Sequence, residues 1–311
     1  MVLSRLTLGL AVVAGLASPA LAKDLTNVGI SVGSLGNPFF VATIKGIEDK
    51  AKGINKNVRI TSVSSDYDLN KQFTQVDNFI ASGANVLMLN AVDPVAIEPS
   101  VKRAQAAGMV VAAFDVAAAG ADVTVMTDNV KAGEIACQYI VDHLKGKGDV
   151  LIVNGPQVSS VTDRVKGCKA VFAKNPDIKI LSDNQDAKGS RDGGFAVTQS
   201  LLTRFPKVDA IFAINDPTAI GANLAAKQLN RSEFIITAVD GAPDIEAELK
   251  SGNSLIKASA SQDPYLMAGQ SLEYAAGILN GKKPEKNVIL LEPKLITSEN
   301  VGQYQGWTAA R

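Results

Sequence analysis

The chain has 311 residues, enough for two domains with full cores, and its 31 basic and 31 acidic residues cancel to a formal charge of zero. Neither sign forms a long block, so the clustered Lys and Arg that a duplex-binding surface needs are missing, and nucleic acid is excluded as a partner. With two cysteines and one histidine, a four-ligand Cys/His metal site is excluded as well.

The chain opens on "MVLSRLTLGLAVVAGLASPALA": Arg5, an apolar run from Leu6 to Ala17, then Pro19 and Ala20-Leu21-Ala22. That pattern predicts a secretory signal over residues 1–22 with cleavage before Lys23, leaving an exported protein of 289 residues. The run is too short and too interrupted by Gly to make a membrane span. Next comes "VGISVGSL", a strand, and "SLGNPFF" at 34–40. Asn37 is suited to an N-cap and Pro38 to the first helical position, so a helix starts there. Successive helical residues point about 100° apart, so Phe39 and Phe40 should divide, one ring to the core and one to a cleft. For an isolated pair, core for both is the alternative.

Further apolar, β-branched runs follow with amphipathic stretches between them: "VRITSVSS", "VLMLNAV", "VVAAFDV", "VLIVNG", "IKILSDN", "AIFAIND", "FIITAVD" and "IKASASQ". Such alternation predicts an α/β fold with parallel sheets covered on both faces. The rhythm loses a helix at "AAAGADVTVMTDN" and is interrupted again at "NGKKPEKN", before the strand-like "VILLEPKLIT". Two Rossmann-like lobes joined by a three-crossing hinge follow from this. The first is expected over 23–126 plus 260–284, the second over 127–259 plus 285–300, with 301–311 as a tail.

In open α/β sheets ligands sit outside the carboxyl ends of the strands. Those ends carry Ser34, Asn37, Asp66, Asn90, Asp115, Asn154, Asn215, Asp216, Asp240 and Gln262, while Arg164 and Arg191 lie on helices after second-lobe strands. Any one of these alone reads as a turn former or cap. Their recurrence in both lobes predicts an inter-lobe cleft for a ligand rich in hydroxyls, with an aromatic ring to pack on its C–H face. Catalytic alternatives are poorly supplied. His143 lies near a helix end without a G-x-S-x-G, no phosphate-cradling Gly motif follows a strand, and the companions of Asp115 and Asp240 are amides. Binding without turnover, and without a cofactor, is expected. Cys137 and Cys168 could pair in an oxidising compartment; two buried thiols on opposite sheet faces are the alternative.

"SLGNPFF", "LNAVD", "TDNVKAG", "DRVKG", "AINDPTAIGA", "VDGAPD" and "ASQDPYLMAG" occur in the order seen in the ribose-binding-protein family. The chain thus resembles periplasmic type I solute-binding proteins, whose fold is shared with the ligand domain of lac-repressor-type regulators. A signal peptide replaces the DNA-binding segment of those regulators. The resemblance implies a monomeric Venus-flytrap protein in the periplasm that closes on a monosaccharide or polyol and delivers it to an ABC permease in the inner membrane. It places the ligand contacts on Asn37, Phe39, Phe40, Asn90, Asp115, Arg164, Asn215, Asp240 and Gln262. Two positions depart from the ribose pattern: Val116 stands where an arginine is expected, and Gly189 near an expected aromatic. A sensor subunit read by a chemoreceptor or kinase, and an exported sugar-processing enzyme, are the alternative readings.

Overall fold

The structure, a computed structural model, describes residues 24–307, and the predicted export signal lies outside them. The first sheet takes β1 (Asn27–Val32), β2 (Arg59–Ser64), β3 (Val86–Leu89), β4 (Val110–Phe114) and β5 (Val123–Thr127), with α1 (Pro38–Ile54), α2 (Leu69–Ala81) and α3 (Glu98–Ala106) between them. The second half continues through α4 (Asn129–His143), β6 (Gly148–Asn154), α5 (Ser159–Ala173), β7 (Ile178–Asp186), α6 (Arg191–Arg204) and β8 (Ala210–Ala213). It ends with α7 (Asp216–Gln228), β9 (Ile235–Asp240), α8 (Pro243–Ser251), β10 (Ile256–Ser261), α9 (Pro264–Leu279), β11 (Val288–Leu291) and β12 (Lys294–Thr297).

Two six-stranded sheets result, ordered β11-β5-β4-β3-β1-β2 and β12-β10-β9-β8-β6-β7. Every pairing is parallel except β10 with β12. Central strands such as β1, β3, β4, β8 and β9 are buried along their whole length, as a sheet covered on both faces requires. Strand order reverses beside β1 in one sheet and beside β6 in the other, and there the carboxyl ends open the crevices that a ligand can enter.

Helix starts follow the sequence chemistry. Asn37 Oδ1 accepts from the Phe39 amide at 3.0 Å with Pro38 in the first turn, and Asn215 Oδ1 accepts from Thr218 N at 3.0 Å. Helices α4 and α5 pack on one another. A Cβ on Gly133 would stand 2.0 Å from the Arg164 carbonyl oxygen, and one on Gly167 the same distance from that of Val130, so only glycine lets these backbones meet. That approach brings Cys137 and Cys168 within reach, and they form a disulfide with Cα atoms 5.1 Å apart. The two helices therefore share a face, and the arrangement with separated thiols does not occur.

The segment "VILLEPKLIT" differs from expectation. Residues 285–300 were expected in the second lobe as one strand, but Val288–Leu291 pairs with β5 in the first sheet, and only Lys294–Thr297 joins the second. Pro293 is the physical reason: it has no N–H to give a ladder and breaks the run, and the chain changes sheets around it. The tail also spans both lobes. A 3-10 turn at Val301–Gln303 packs on α8, and Tyr304 Oη donates to Gly241 O at 3.0 Å. Trp307 then returns to the first-lobe core, its ring edge-on to Phe39 at 5.8 Å and its Nε1 donating to Gln262 O at 2.9 Å.

Candidate functional site

Helix α9 packs on α1 and against β4 and β5, so the chain crosses between the lobes near residues 128, 263 and 292. The lobes stand closed. Ala117 N donates to Ser159 Oγ across the gap at 2.7 Å, and one apolar cluster runs from Val116 and Ala118 to Val158 and Val161. Val116 is thus part of the apolar seam between the lobes.

Beside that seam lies a small cavity between the lobes. Asn37, Phe39, Phe40, Asn90, Asp115, Arg164, Asn215, Asp240 and Gln262 all line it, from both lobes. The first lobe presents Asp115 just after β4, with φ +66°, and Asn90 Nδ2 donates to its Oδ2 at 2.8 Å. The second presents Asp240 at the end of β9, with φ +142°. Backbone strain of this kind costs on the order of 1–3 kcal/mol per residue and collects at functional sites.

Asp240 is held from several sides. Gln262 Nε2 donates to its Oδ1 at 2.6 Å, Arg164 Nη1 reaches the same oxygen at 3.4 Å, and Asp216 N reaches Oδ2 at 3.4 Å. Arg164 is itself fixed by Nε to Asn129 Oδ1 and Nη1 to Ile214 O, both at 2.9 Å, which leaves Nη2 without a bond to another described residue. Gln262 Oε1 accepts from Thr127 Oγ1, and Asn215 Nδ2 donates to Gly189 O at 3.0 Å. Burial pushes the carboxyl of Asp115 up to about 6 even though Arg164 and Asn90 favour its charge. Burial does the same to Asp240, again to about 6, with Arg164 and then Gln262 opposing. Asp216, behind Asp240, is pushed well up by burial and by the Asp240 charge; its oxygens accept from Ser259 Oγ and Ala242 N, each at 2.7 Å.

Other strand-end polar residues do not reach this cavity. Asp66 is exposed and pairs with Lys71, Asn154 donates to Asp183 O, and Arg191 pairs with Asp244. The expected division of Phe39 and Phe40 does not hold either. Both rings are 4% exposed, both belong to the first-lobe core and both line the cavity, edge-to-face at 5.5 Å. Sequence reasoning missed Tyr67, Val158, Ser160 and Val161. Tyr67 lies in the loop after β2, where the strand-end rule applies, but an aromatic between two aspartates reads as part of a turn. Among the described residues no group of His, Cys, Asp or Glu could hold a metal ion. Two carboxylates accept, one guanidinium donates, the amides do both and the rings offer flat apolar faces, which together suit a compact polyhydroxylated molecule.

A family model described as the periplasmic binding protein domain matches residues 28–283. The chain belongs to that family. This periplasmic binding protein is 34% identical over 270 residues to the ribose import binding protein RbsB of Bacillus subtilis, covering 86% of this chain and 85% of the relative. Its fold matches the Caulobacter myo-inositol binding protein bound to myo-inositol, with TM-score 0.83 and 27% identity over 91% of this chain and 96% of that one. It also matches an ABC transporter solute binding protein from Mycobacterium smegmatis with bound glycerol, with TM-score 0.84 and 26% identity over 92% and 99% of the two chains.

Proposed function

We infer that this periplasmic binding protein is the solute-binding component of an ABC importer, closing its lobes on a monosaccharide or related polyol and delivering it to the permease. The observation that carries the reading is the convergence of two buried carboxylates, one guanidinium, amides from both lobes and two aromatic rings on a single inter-lobe cavity. The ligand chemistry of its relatives, ribose import in one and bound myo-inositol and glycerol in others, agrees with that donor set. Asp115 and Asp240 accept sugar hydroxyls, one from each lobe; Asn37, Asn90, Asn215 and Gln262 bridge donor and acceptor edges; Arg164 donates through Nη2; and Phe39 with Phe40 packs on the C–H face. Val116 and Gly189 depart from the ribose pattern, so the ligand is a monosaccharide or polyol that need not be ribose. Residues 1–22 direct export and are removed, placing the monomer in the periplasm, and no turnover of the ligand follows binding.

The test is calorimetric titration of the full protein with D-ribose, D-allose, myo-inositol and xylitol, alongside product analysis after long incubation. Saturable binding of at least one, with the ligand recovered unchanged, is expected. Absence of binding across the panel, or conversion of a sugar, overturns the reading.

A further inference from the structure

Tyr67 stands at the boundary of two spaces. With Asn37 and Gly189 it lines both the inner cavity and an outer chamber of about 360 Å³, whose far walls carry Arg191, Pro217 and Asp244. Gly189 contributes no side chain to that boundary, so the Tyr67 ring is the large group between the two spaces. The fold is arranged to hold it there. Asp66 and Tyr67 both have positive φ, +52° and +57°, a costly conformation for two successive non-glycine residues. Ser65 N and Oγ both donate to Val32 O, Asp68 N donates to Ser65 O, and Asp66 is tied to Ser64 and Lys71, which together fix the loop. Gly33 makes room for the ring, since a Cβ there would stand 2.6 Å from Tyr67 Cε1.

The hydroxyl is the second observation. Tyr67 is partly buried, and a phenol in such a position ordinarily finds a hydrogen-bond partner. Tyr67 lines the inner cavity together with Asn90, Asp115, Arg164 and Asp240, and its phenol is pushed up by burial, then by the nearby Asp115 and Asp240 charges, with Arg164 opposing. Arg164, Asn90, Gln262 and the Asp216 amide engage those carboxylates from the elements around them, whereas no hydrogen bond joins the Tyr67 hydroxyl to another described residue.

We propose that Tyr67 is a specificity-determining residue of the sugar site: its ring closes the inner cavity against the outer chamber, and its hydroxyl bonds the ligand. The assignment rests on the sugar-binding reading above. It limits the ligand to a single ring, or an acyclic polyol of similar size, and selects a ligand with an oxygen facing the phenol.

The experiment compares the wild-type protein with Tyr67→Phe and Tyr67→Ala by calorimetry against D-ribose, D-allose, xylitol and myo-inositol, and against sucrose as a two-ring probe. Thermal melts of each variant report folding. The Phe variant keeps the ring and should lose roughly 5- to 30-fold in affinity for the best single-ring or polyol ligand, with an unchanged melt. The Ala variant opens the partition, so the preference for that ligand over sucrose should fall by at least about 10-fold, roughly what one lost wall contact decides. Wild-type affinity in the Phe variant, or preserved discrimination in a folded Ala variant, overturns the role of Tyr67 while leaving the sugar site standing. A wild-type protein that binds none of the panel overturns both.

Discussion

On the sugar-binding reading, Asp115 and Asp240 should make ligand binding release protons in mildly acid solution. Burial raises each carboxyl from an ordinary 3.8 to about 6, a cost of about 3 kcal/mol for ionising each one in place. Between those two values the folded protein holds more protons than the unfolded chain. The stability of the closed form without ligand should therefore fall as pH rises from about 4 to about 6, with the full ionisation cost present above that. Sugar hydroxyls reverse the balance. A hydroxyl that donates to a carboxylate favours the charged form, so binding pulls both carboxyls back down and ejects their protons. At pH 5 the unliganded groups are about ten parts protonated to one ionised, so affinity should drop about 10-fold per carboxyl, up to about 100-fold for both, relative to pH 7.5.

Calorimetry in buffers of different ionisation enthalpy counts those protons directly. Nearly two released at pH 5, and close to none at pH 7.5, is the expected result. Asp115→Asn should remove one of the two and halve the pH dependence on a logarithmic scale. An affinity that is flat from pH 5 to 7.5 with no buffer-dependent heat would refute the claim that these two carboxylates receive the ligand.

Asp240→Ala removes the acceptor shared by Gln262 and Arg164; affinity should fall by about 10- to 150-fold, or 1.5–3 kcal/mol, and calorimetry returning wild-type affinity would contradict its role. Phe39→Ala and Phe40→Ala should each lose both stability, by about 3–5 kcal/mol, and affinity, because both rings are buried and both line the cavity; chemical denaturation beside titration checks this, and one variant losing stability alone would restore the division of labour. Replacing Cys137 and Cys168 together by Ser opens a loop of 31 residues and should destabilise by about 3–4 kcal/mol on the chain-entropy account. Free-thiol titration of the unfolded, unreduced wild type should find no reactive thiol.

The sequence made the fold class legible because buried parallel strands read as continuous apolar runs, and the first helix start was marked by Asn37-Pro38. It made the cavity legible because the strand-end rule picks out polar residues lobe by lobe. What it left open depended on distant partners. Whether Cys137 and Cys168 shared a face hinged on how α4 and α5 pack, which Gly133 and Gly167 decide only when seen against each other's backbone. Tyr67 entered the site through a left-handed loop pinned by Val32, a contact no local pattern records. Pro293, with Glu292 and Lys294 on either side, was a readable signal for the broken last strand.

The sharing of that last segment between the sheets bears on how the polypeptide folds. Val288 aligns with Thr124 and Lys294 with Ser261, so one stretch of ten residues contributes an edge strand to each sheet. The amino-terminal sheet also waits for α9, which follows the whole of β6–β10 in the chain. Closing a loop of that length is entropically unfavourable, and such distant pairings slow folding. Neither lobe can reach its final form during most of synthesis, and both become complete together, once the strands on either side of Pro293 have docked.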